Sequence, residues 1–233
     1  TSLDVSGFKT DNVTSMGSMF SGCSGLTSLD LSNFNTTNVT NMDFMFHQCE
    51  KLATLDVTSF NTSNVTSMHE MFDLCFQLTS LDLTNFNTAK VTDMYALFAR
   101  DAALTTIYVG SDWNTDLISS SGTSGIDMFN GCTSLVGGAG TTYSQLHINY
   151  TYAHIDGGTA NPGHFTDKNA TPVTLSAPTI IVENNVLTMS TNTAGAAIYY
   201  TLDGSKPTKE SASYTEPVTL KHHCYVRAFA AKE

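Results

Sequence analysis

One segment of 26 residues recurs along the first half of this chain with the same pattern of polar and apolar residues. The unit is clearest at residues 26–51, which read LTSLDLSNFNTTNVTNMDFMFHQCEK. Equivalent positions recur at Leu3, Leu29, Leu55 and Leu81, at Phe8, Phe34, Phe60 and Phe86, and at Met16, Met42, Met68 and Met94. A fixed period of this length predicts a repeat architecture in which each unit buries its apolar side chains against its neighbours.

The segment LTSLDL at the start of each unit has the pattern of a short strand. Leu29 and Leu31 alternate with Asp30, so the two leucines would share a buried face and the carboxylate would point the other way. Copies of this strand in successive units would pair in parallel, about 4.8 Å apart.

The second half of each unit has apolar spacing that is typical of a helix. The spacing of three, three, one and three residues is carried by Val39, Met42, Met45, Phe46 and Cys49. Thr40 is placed to cap the N-terminus of such a helix. Strand, helix and period together predict an α/β leucine-rich-repeat solenoid, with a parallel sheet on the concave side and short helices on the convex side.

Two further columns of the repeat have predicted structural tasks. Asn12, Asn38 and Asn64 precede each valine, and their side chains are expected to bond loop backbone within or between units. Four cysteines occupy one position of successive units, namely Cys23, Cys49, Cys75 and Cys132. Their spacing is not that of a metal site, so a row of small buried apolar residues is the favoured interpretation; Cys224 stands alone.

The periodicity changes after residue 168. We predict the solenoid with a C-terminal cap at residues 1–168, where residues 150–155 could add a strand, a linker at residues 169–178, and a small all-β Ig-like sandwich at residues 179–233. The sandwich strands are expected at residues 180–183, 186–190, 197–202, 218–220 and 225–230, with turns at 184–185 and 203–204.

Charge and hydropathy exclude some classes of function. The formal net charge is −11, which argues against a nucleic-acid partner because such proteins carry basic patches. No run approaches the roughly 18 apolar residues of a membrane span, and there is no signal peptide. Because Thr1 lies inside a repeat, we expect the sequence to be a mature product or a fragment of a longer protein.

No catalytic motif is present. The sequence lacks HExxH, GxSxG, a phosphate-binding loop and a dinucleotide fingerprint, and its seven histidines are scattered. We therefore expect no enzymatic activity, no catalytic residue, no metal ligand set and no cofactor.

The candidate ligand-binding residues lie on the predicted concave face. Asp4, Asp30, Asp56 and Asp82 are expected to project side by side, each flanked by Ser or Thr. Neighbouring carboxylates at about 4.8 Å repel by roughly 0.9 kcal/mol at the dielectric constant of water. The row is either a solvated acidic face supported by hydroxyl groups or a surface for basic protein patches or Ca²⁺.

Two aromatic residues of the fifth unit are the second candidate. Tyr108 replaces the aspartate of the row, and Trp113 lies in an insertion beside Asp112 and Asp116. Trp113 would either be an exposed anchor for a protein or a sugar, or fold over the final unit.

Two resemblances to known families rest on these motifs. The pattern LDLSNFNT…VT.M..MF..C over about residues 1–136 resembles the BspA-like bacterial surface proteins. That resemblance implies a leucine-rich-repeat fold, export to the cell surface and frequent adhesion to host proteins or other cells. The segment IYYTLDGSKPT, with SYTEPVTL and YVRAFA, resembles the chitobiase or β-hexosaminidase C-terminal domain, which implies an accessory spacer or presentation module.

Together these features predict a non-catalytic extracellular binding or adhesion protein at the bacterial cell surface. Its partner would be a host or bacterial surface macromolecule, a protein rather than a glycan. The alternatives are a carbohydrate-binding module that uses Trp113 and the aromatic residues of the cap, and a structural stalk without a specific ligand.

Overall fold

Successive repeats lie side by side, with residues 26 positions apart opposite one another. Strand β1 (Ser2–Leu3) pairs in parallel with β2 (Ser28–Leu29), and β3 (Ser80–Leu83) pairs in parallel with β4 (Thr106–Val109). A second line of parallel bridges joins Ser15 to Asn41, Asn41 to Ser67 and Ser67 to Asp93. Backbone pairing between neighbouring repeats therefore has the same 26-residue offset as the sequence repeat.

The computed structural model describes residues 2–169, 177–193 and 196–231. The chain divides into two compact units, Thr1–Ala170 and Thr171–Glu233. We call them the repeat domain and the C-terminal domain. Most of the predicted linker at residues 169–178 lies outside the described residues, since 170–176 are among those not described.

The predicted α/β leucine-rich-repeat solenoid is wrong. The described residues contain no α-helix, and those of the repeat domain form only small sheets: β1 with β2, and β3 with β4 and one further strand. Residues 54–56 of the third repeat form no strand, so the single continuous sheet that was expected is interrupted there.

Turns occupy the segment where a helix was expected, because alternate N–H groups bond to the next repeat. The N–H groups of Phe44 and Phe46 donate to the carbonyls of His69 and Met71, at 2.8 and 2.9 Å, instead of to carbonyls four residues back. The intervening Met45 N–H donates three residues back. An apolar spacing of three, one and three therefore also fits consecutive turns.

These turns require backbone conformations that a helix does not use. Phe44 and Gln48 have φ of 58° and 59°, at the third position of turns, which is the geometry of a type II turn. The first repeat has a glycine, Gly22, at the position of Gln48. Thr40, the expected cap, instead places its N–H and hydroxyl on the Thr14 carbonyl of the preceding repeat.

The last strand of the repeat domain comes from the cap. Strand β5 (Phe165–Asp167) pairs in parallel with β4, Phe165 opposite Ile107. The strand that residues 150–155 could have added is absent: Tyr150–Tyr152 form a 3-10 turn, and Ile155 makes one isolated bridge to Phe165. A second 3-10 turn spans Gly158–Ala160.

A column of phenylalanine rings runs through the core of the repeat domain. Phe20, Phe46, Phe72, Phe98 and Phe129 are buried, with successive ring centroids 5.7–5.8 Å apart and nearly parallel planes. Burying one such side chain contributes about 1.5–3 kcal/mol, and stacking adds to that. Each ring has its partners in neighbouring repeats, so this part of the core forms only by stacking.

The cysteine column is buried, as predicted. Cys49, Cys75 and Cys132 are inaccessible free thiols, and Cys23 is half-buried. Each buried Sγ donates to a phenylalanine carbonyl of the preceding repeat, at 2.8–3.3 Å. Burial is the main reason that the pKa of Cys49 is raised to about 12, so this thiol is unreactive at neutral pH.

The asparagine column bonds backbone between repeats, which confirms its predicted task. Asn38 Nδ2 donates to the Asp11 carbonyl at 2.8 Å, and Asn64 Nδ2 donates to the Thr37 carbonyl at 2.9 Å. A threonine column that was not predicted makes a second ladder. The buried Thr62 hydroxyl accepts the N–H of Asn87 at 2.8 Å and donates to its carbonyl at 3.0 Å.

The C-terminal domain consists of two three-stranded antiparallel sheets. The first has the order β10-β7-β6, formed by β6 (Thr179–Glu183), β7 (Val186–Ser190) and β10 (Val218–Thr219). The second has the order β11-β8-β9, formed by β8 (Ala197–Thr201), β9 (Ala212–Ser213) and β11 (Arg227–Ala231).

Residues from both sheets share one small core. Leu187 and Met189 of β7 are buried together with Ile198 of β8. Five strands were predicted within a few residues of their observed bounds, and β9 is the one strand among the described residues of this domain that was not predicted. The arrangement is that of a small β-sandwich.

Candidate binding surface

The aspartate row lies at the end of each LxxLDL segment, beside the turn that follows. Asp30 Oδ1 accepts the Ser32 N–H at 2.9 Å, and Asp56 Oδ1 accepts the Thr58 N–H at 2.9 Å and its hydroxyl at 2.6 Å. Asp4 and Asp82 make the same bond to the residue two positions on. These aspartates therefore shape the turns, which accounts for the residue type at this position without a ligand.

The hydrogen bonds that form the turns also keep the carboxylates ionised. The pKa values of Asp4 and Asp30 are lowered mainly by bonds from Ser6 and Ser32. The pKa of Asp56 is lowered by Thr58, although the charges of Asp82 and Asp30 oppose this. The second oxygen of each carboxylate is not used by the turn.

An open groove of about 490 Å³ contains three members of the row. Its lining is Asp30, Asp56 and Asp82 with Ser28, Thr54, Thr58, Ser80, Leu29 and Leu55. We call this surface the acidic groove. The structure thus brings together side chains that lie 26 residues apart in sequence. Asp4 belongs to the row but is not part of the groove lining.

A lysine of the repeat domain already occupies one end of the row. The ammonium of Lys168, just after β5, forms an ion pair with Asp82 Oδ2. Burial raises the pKa of Asp82, but the hydrogen bonds from Lys168 and Thr84 outweigh it and the net shift is downward. Among the described residues, Lys168 is the one Lys or Arg within ion-pair distance of the row.

The two aromatic candidates have different placements. Tyr108 is half-buried and lies opposite Asp82 in the β3–β4 register, so it extends the row by one repeat. Trp113 is 9% exposed, its Nε1 donates to the Ala153 carbonyl at 3.1 Å, and its ring packs against Phe165 at 5.0 Å. Of the two alternatives for Trp113, the exposed anchor is therefore wrong, and the structure agrees with the other, in which Trp113 folds over the final unit.

Charged side chains from the segments of consecutive turns form a cluster that was not predicted, and we call it the His47 cluster. His47 Nε2 lies 3.5 Å from Glu70 Oε2 and 3.4 Å from Asp73 Oδ2. Arg100 forms an ion pair with the buried Asp73. His69 Nε2 lies 3.4 Å from Oε1, the other carboxylate oxygen of Glu70. His47 lies 22–26 positions before His69, Glu70 and Asp73, and Arg100 lies 27 positions after Asp73, so no single local motif contains the cluster and the repeat register brings its members together.

Comparison with known families assigns both parts of the chain. The family described as "Mycoplasma protein of unknown function, DUF285" matches residues 1–75 and 70–140, which together are more than half of the 233 residues. The chain belongs to this family. The DUF285 region contains the whole aspartate row and the His47 cluster.

The C-terminal domain has its own match. The family described as "Chitobiase/beta-hexosaminidase C-terminal domain" matches residues 168–233, which agrees with the resemblance found in the sequence. Neither match names the BspA-like family, and that resemblance stays a prediction. No curated protein and no solved structure matches the chain. Within the described residues, no helix is long and apolar enough to cross a membrane.

Proposed function

We propose that the protein is a non-catalytic binding protein whose acidic groove takes a basic, extended segment of a partner protein outside the cell. The observation that carries this proposal is the ion pair between Lys168 and Asp82. It supports the view that a lysine ammonium fits the geometry of the row. Asp30 and Asp56 present equivalent carboxylates in the same groove, each with one oxygen not used by its turn.

The charge distribution favours a cationic partner. Residues 1–170 contain 16 Asp and Glu but five Lys and Arg, so the net charge of −11 is that of the repeat domain. Residues 171–233 contain five of each. A field of one sign raises the association rate of an oppositely charged partner and makes the binding sensitive to salt.

Shape favours an extended segment over a compact ligand. The groove is open and crosses several repeats, and its apolar floor is limited to Leu29 and Leu55. Such a surface offers several weak ion pairs in a line, each worth about 0.2–1 kcal/mol where exposed. Their sum, instead of one deep pocket, would supply the affinity.

Two other functions have less support. A carbohydrate-binding module was expected to use Trp113, whose ring is buried, so that alternative loses its principal residue. A stalk without a specific ligand would make no use of the groove. Adhesion at a cell surface remains a proposal that rests on the BspA-like resemblance, with the C-terminal domain as a spacer.

The test measures binding of a fluorescent lysine-rich peptide at several salt concentrations. The variant Asp30→Asn/Asp56→Asn removes two charges, but the amide oxygen can still accept the N–H two residues on, so the turns are retained. We expect affinity to fall by about 0.4–2 kcal/mol, roughly two- to thirtyfold, with a smaller dependence on salt.

The matched control is Asp11→Asn/Asp116→Asn, which changes net charge equally at exposed sites outside the groove. Equal losses in both variants would mean attraction by net charge alone and would remove the groove from consideration. If the groove passes this test, capture of extracellular proteins with the native chain and the groove variant would identify the partner.

A further inference from the structure

The His47 cluster brings together side chains from the consecutive turns of two successive repeats. His47 belongs to one repeat, while Glu70 and Asp73 belong to the next. One ligand atom from each of the three side chains lies within 4.8 Å of the others. The cluster is distinct from the acidic groove, with which it shares no residue.

The distances within the cluster fit a metal ion better than direct hydrogen bonds. His47 Nε2 is 3.4 Å from Asp73 Oδ2 and 3.5 Å from Glu70 Oε2, whereas N–H···O bonds are usually 2.7–3.2 Å. A tetrahedron with metal–ligand bonds of about 2.0–2.1 Å has edges of roughly 3.3–3.4 Å. The two distances from His47 Nε2 therefore match edges of such a tetrahedron, and the two carboxylate oxygens lie within 4.8 Å of each other.

The surroundings hold two of these side chains in place. The side chain of Asp73 is 0% exposed, and Arg100 holds both of its oxygens: Nε donates to Oδ1 at 2.9 Å and Nη2 donates to Oδ2, which also lies 3.4 Å from His47 Nε2. Ser21 Oγ lies 3.4 Å from His47 Nδ1, on the side of the ring opposite the cluster. Supporting contacts of this kind orient ligands in metal sites.

Glu70 is positioned by its backbone and by a second histidine. Its φ of 48° is uncommon for a residue other than glycine. Its Oε1 lies 3.4 Å from His69 Nε2, and His69 Nδ1 lies 3.3 Å from Asp93 Oδ2. One oxygen of Glu70 thus faces each imidazole.

We propose that His47, Glu70 and Asp73 bind a divalent transition-metal ion of the Zn²⁺ type, which clips two successive repeats together. Water completes the coordination, because His47 and Glu70 are each 18% exposed. Imidazole with carboxylate oxygen is a donor set that Zn²⁺ accepts, whereas Mg²⁺ and Ca²⁺ prefer oxygen ligands alone. Arg100 stays on Asp73 Oδ1 and gives up its contact with Oδ2.

The test uses Zn²⁺ alone as the probe with the full chain. Isothermal titration counts the ions bound, and unfolding followed by Trp113 fluorescence gives the Tm of the repeat domain. We expect one ion per chain at this site and, at 100-fold excess over Kd, a rise in Tm of about 5–10 °C. Mg²⁺ at the same concentration should leave the Tm unchanged.

Two variants test the proposal. Each removes one proposed ligand at a partly exposed position. His47→Gln and Glu70→Gln should each weaken binding at this site by more than the roughly 10- to 100-fold loss that follows removal of a supporting contact. The rise in Tm with Zn²⁺ should disappear with the binding. His222→Gln, in the C-terminal domain, is the matched control for adventitious binding by exposed histidines and should keep both effects.

Some outcomes would overturn the proposal. A native chain that binds no Zn²⁺, or variants that bind it as well as the native chain, would show that the cluster is only an ion-pair network. Loss of Zn²⁺ binding in His222→Gln, but not in His47→Gln, would assign the metal to the C-terminal domain.

Discussion

Asp101 occupies, in the fourth repeat, the position that cysteine holds in its neighbours. Its side chain is fully buried between the repeats of Cys75 and Cys132, its Oδ1 accepts the Cys75 N–H at 2.7 Å, and its Oδ2 has no hydrogen-bond partner. Burial raises the pKa of Asp101 well above its usual range. Burial thus favours the neutral form of this carboxyl, which resembles the neutral thiols of the neighbouring repeats.

The linkage between this proton and folding gives a prediction for Asp101→Asn. The folded pKa is higher than the unfolded value near 3.8, so the stabilising contribution is complete below that value and is lost as pH rises toward the folded pKa. The slope in that window is about −1.4 kcal/mol per pH unit. Asn is neutral and of the same shape. The Asp101→Asn variant should therefore have a higher free energy of unfolding than the native chain at pH 8, and this free energy should depend less on pH.

Chemical denaturation between pH 5 and 8 measures this effect. The difference between Asp101→Asn and the native chain should grow with pH. Asp116→Asn, an exposed aspartate of the same domain, should run parallel to the native chain. A constant difference for Asp101→Asn would show that Asp101 is already ionised in the folded state.

At the scale of elements, side-chain ladders hold the repeats together where regular strands are short. Thr36, Thr62 and Thr88 are buried, and each hydroxyl bonds both the N–H and the carbonyl of one residue in the next repeat. The bonds are 2.6–3.0 Å long. Because these hydroxyls replace strand pairing, their loss leaves part-buried backbone groups without partners.

Thr62→Val therefore has a specific expected cost. Valine keeps the shape but leaves the Asn87 N–H and carbonyl unpaired, which should lower the free energy of unfolding by about 2–4 kcal/mol. The control is Thr66→Val, which removes one bond from an exposed hydroxyl to the Thr40 carbonyl and should cost less than about 1 kcal/mol. Equal costs in urea denaturation would contradict the ladder as a source of stability.

The same scale shows what sequence could and could not predict. Register and burial followed from the period, because equivalent residues must stack; Leu81 opposite Ile107 and the buried Cys49 are examples. The helix prediction failed because the spacing of Met42, Met45 and Phe46 fits turns whose N–H groups bond to the next repeat. The local sequence does not specify whether a hydrogen bond stays within a repeat or crosses to the next.

The candidate sites also differ in whether the sequence could predict them. The aspartate row could be predicted because it repeats one position of the unit. The burial of Trp113 could not, since it depends on Ala153 and Phe165 of the cap. The His47 cluster also could not, because His47 and Glu70 occupy different positions of the unit and meet only across the boundary between repeats.

At the scale of the whole molecule, the two domains should respond differently to salt. The repeat domain carries the net charge of −11 and the C-terminal domain carries none. Self-repulsion opposes the compact state of a highly charged domain, and salt screens it over a Debye length of about 10 Å at 0.1 M. Raising NaCl from 0.05 to 0.5 M should therefore raise the Tm of the repeat domain by at least about 2 °C, and that of the C-terminal domain by less.

Single reporters in each domain allow the two transitions to be followed in one chain. Trp113 is the one tryptophan and reports on the repeat domain, while Cys224 is the one cysteine of residues 171–233 and reports through thiol labelling followed by mass spectrometry. Loss of the Lys168–Asp82 pair at high salt works against the expected shift, but one exposed pair is worth less than the self-repulsion of eleven net charges. A Tm of the repeat domain that falls with salt would therefore mean that local ion pairs, including those around His47, outweigh the net charge in stabilising the stacked repeats.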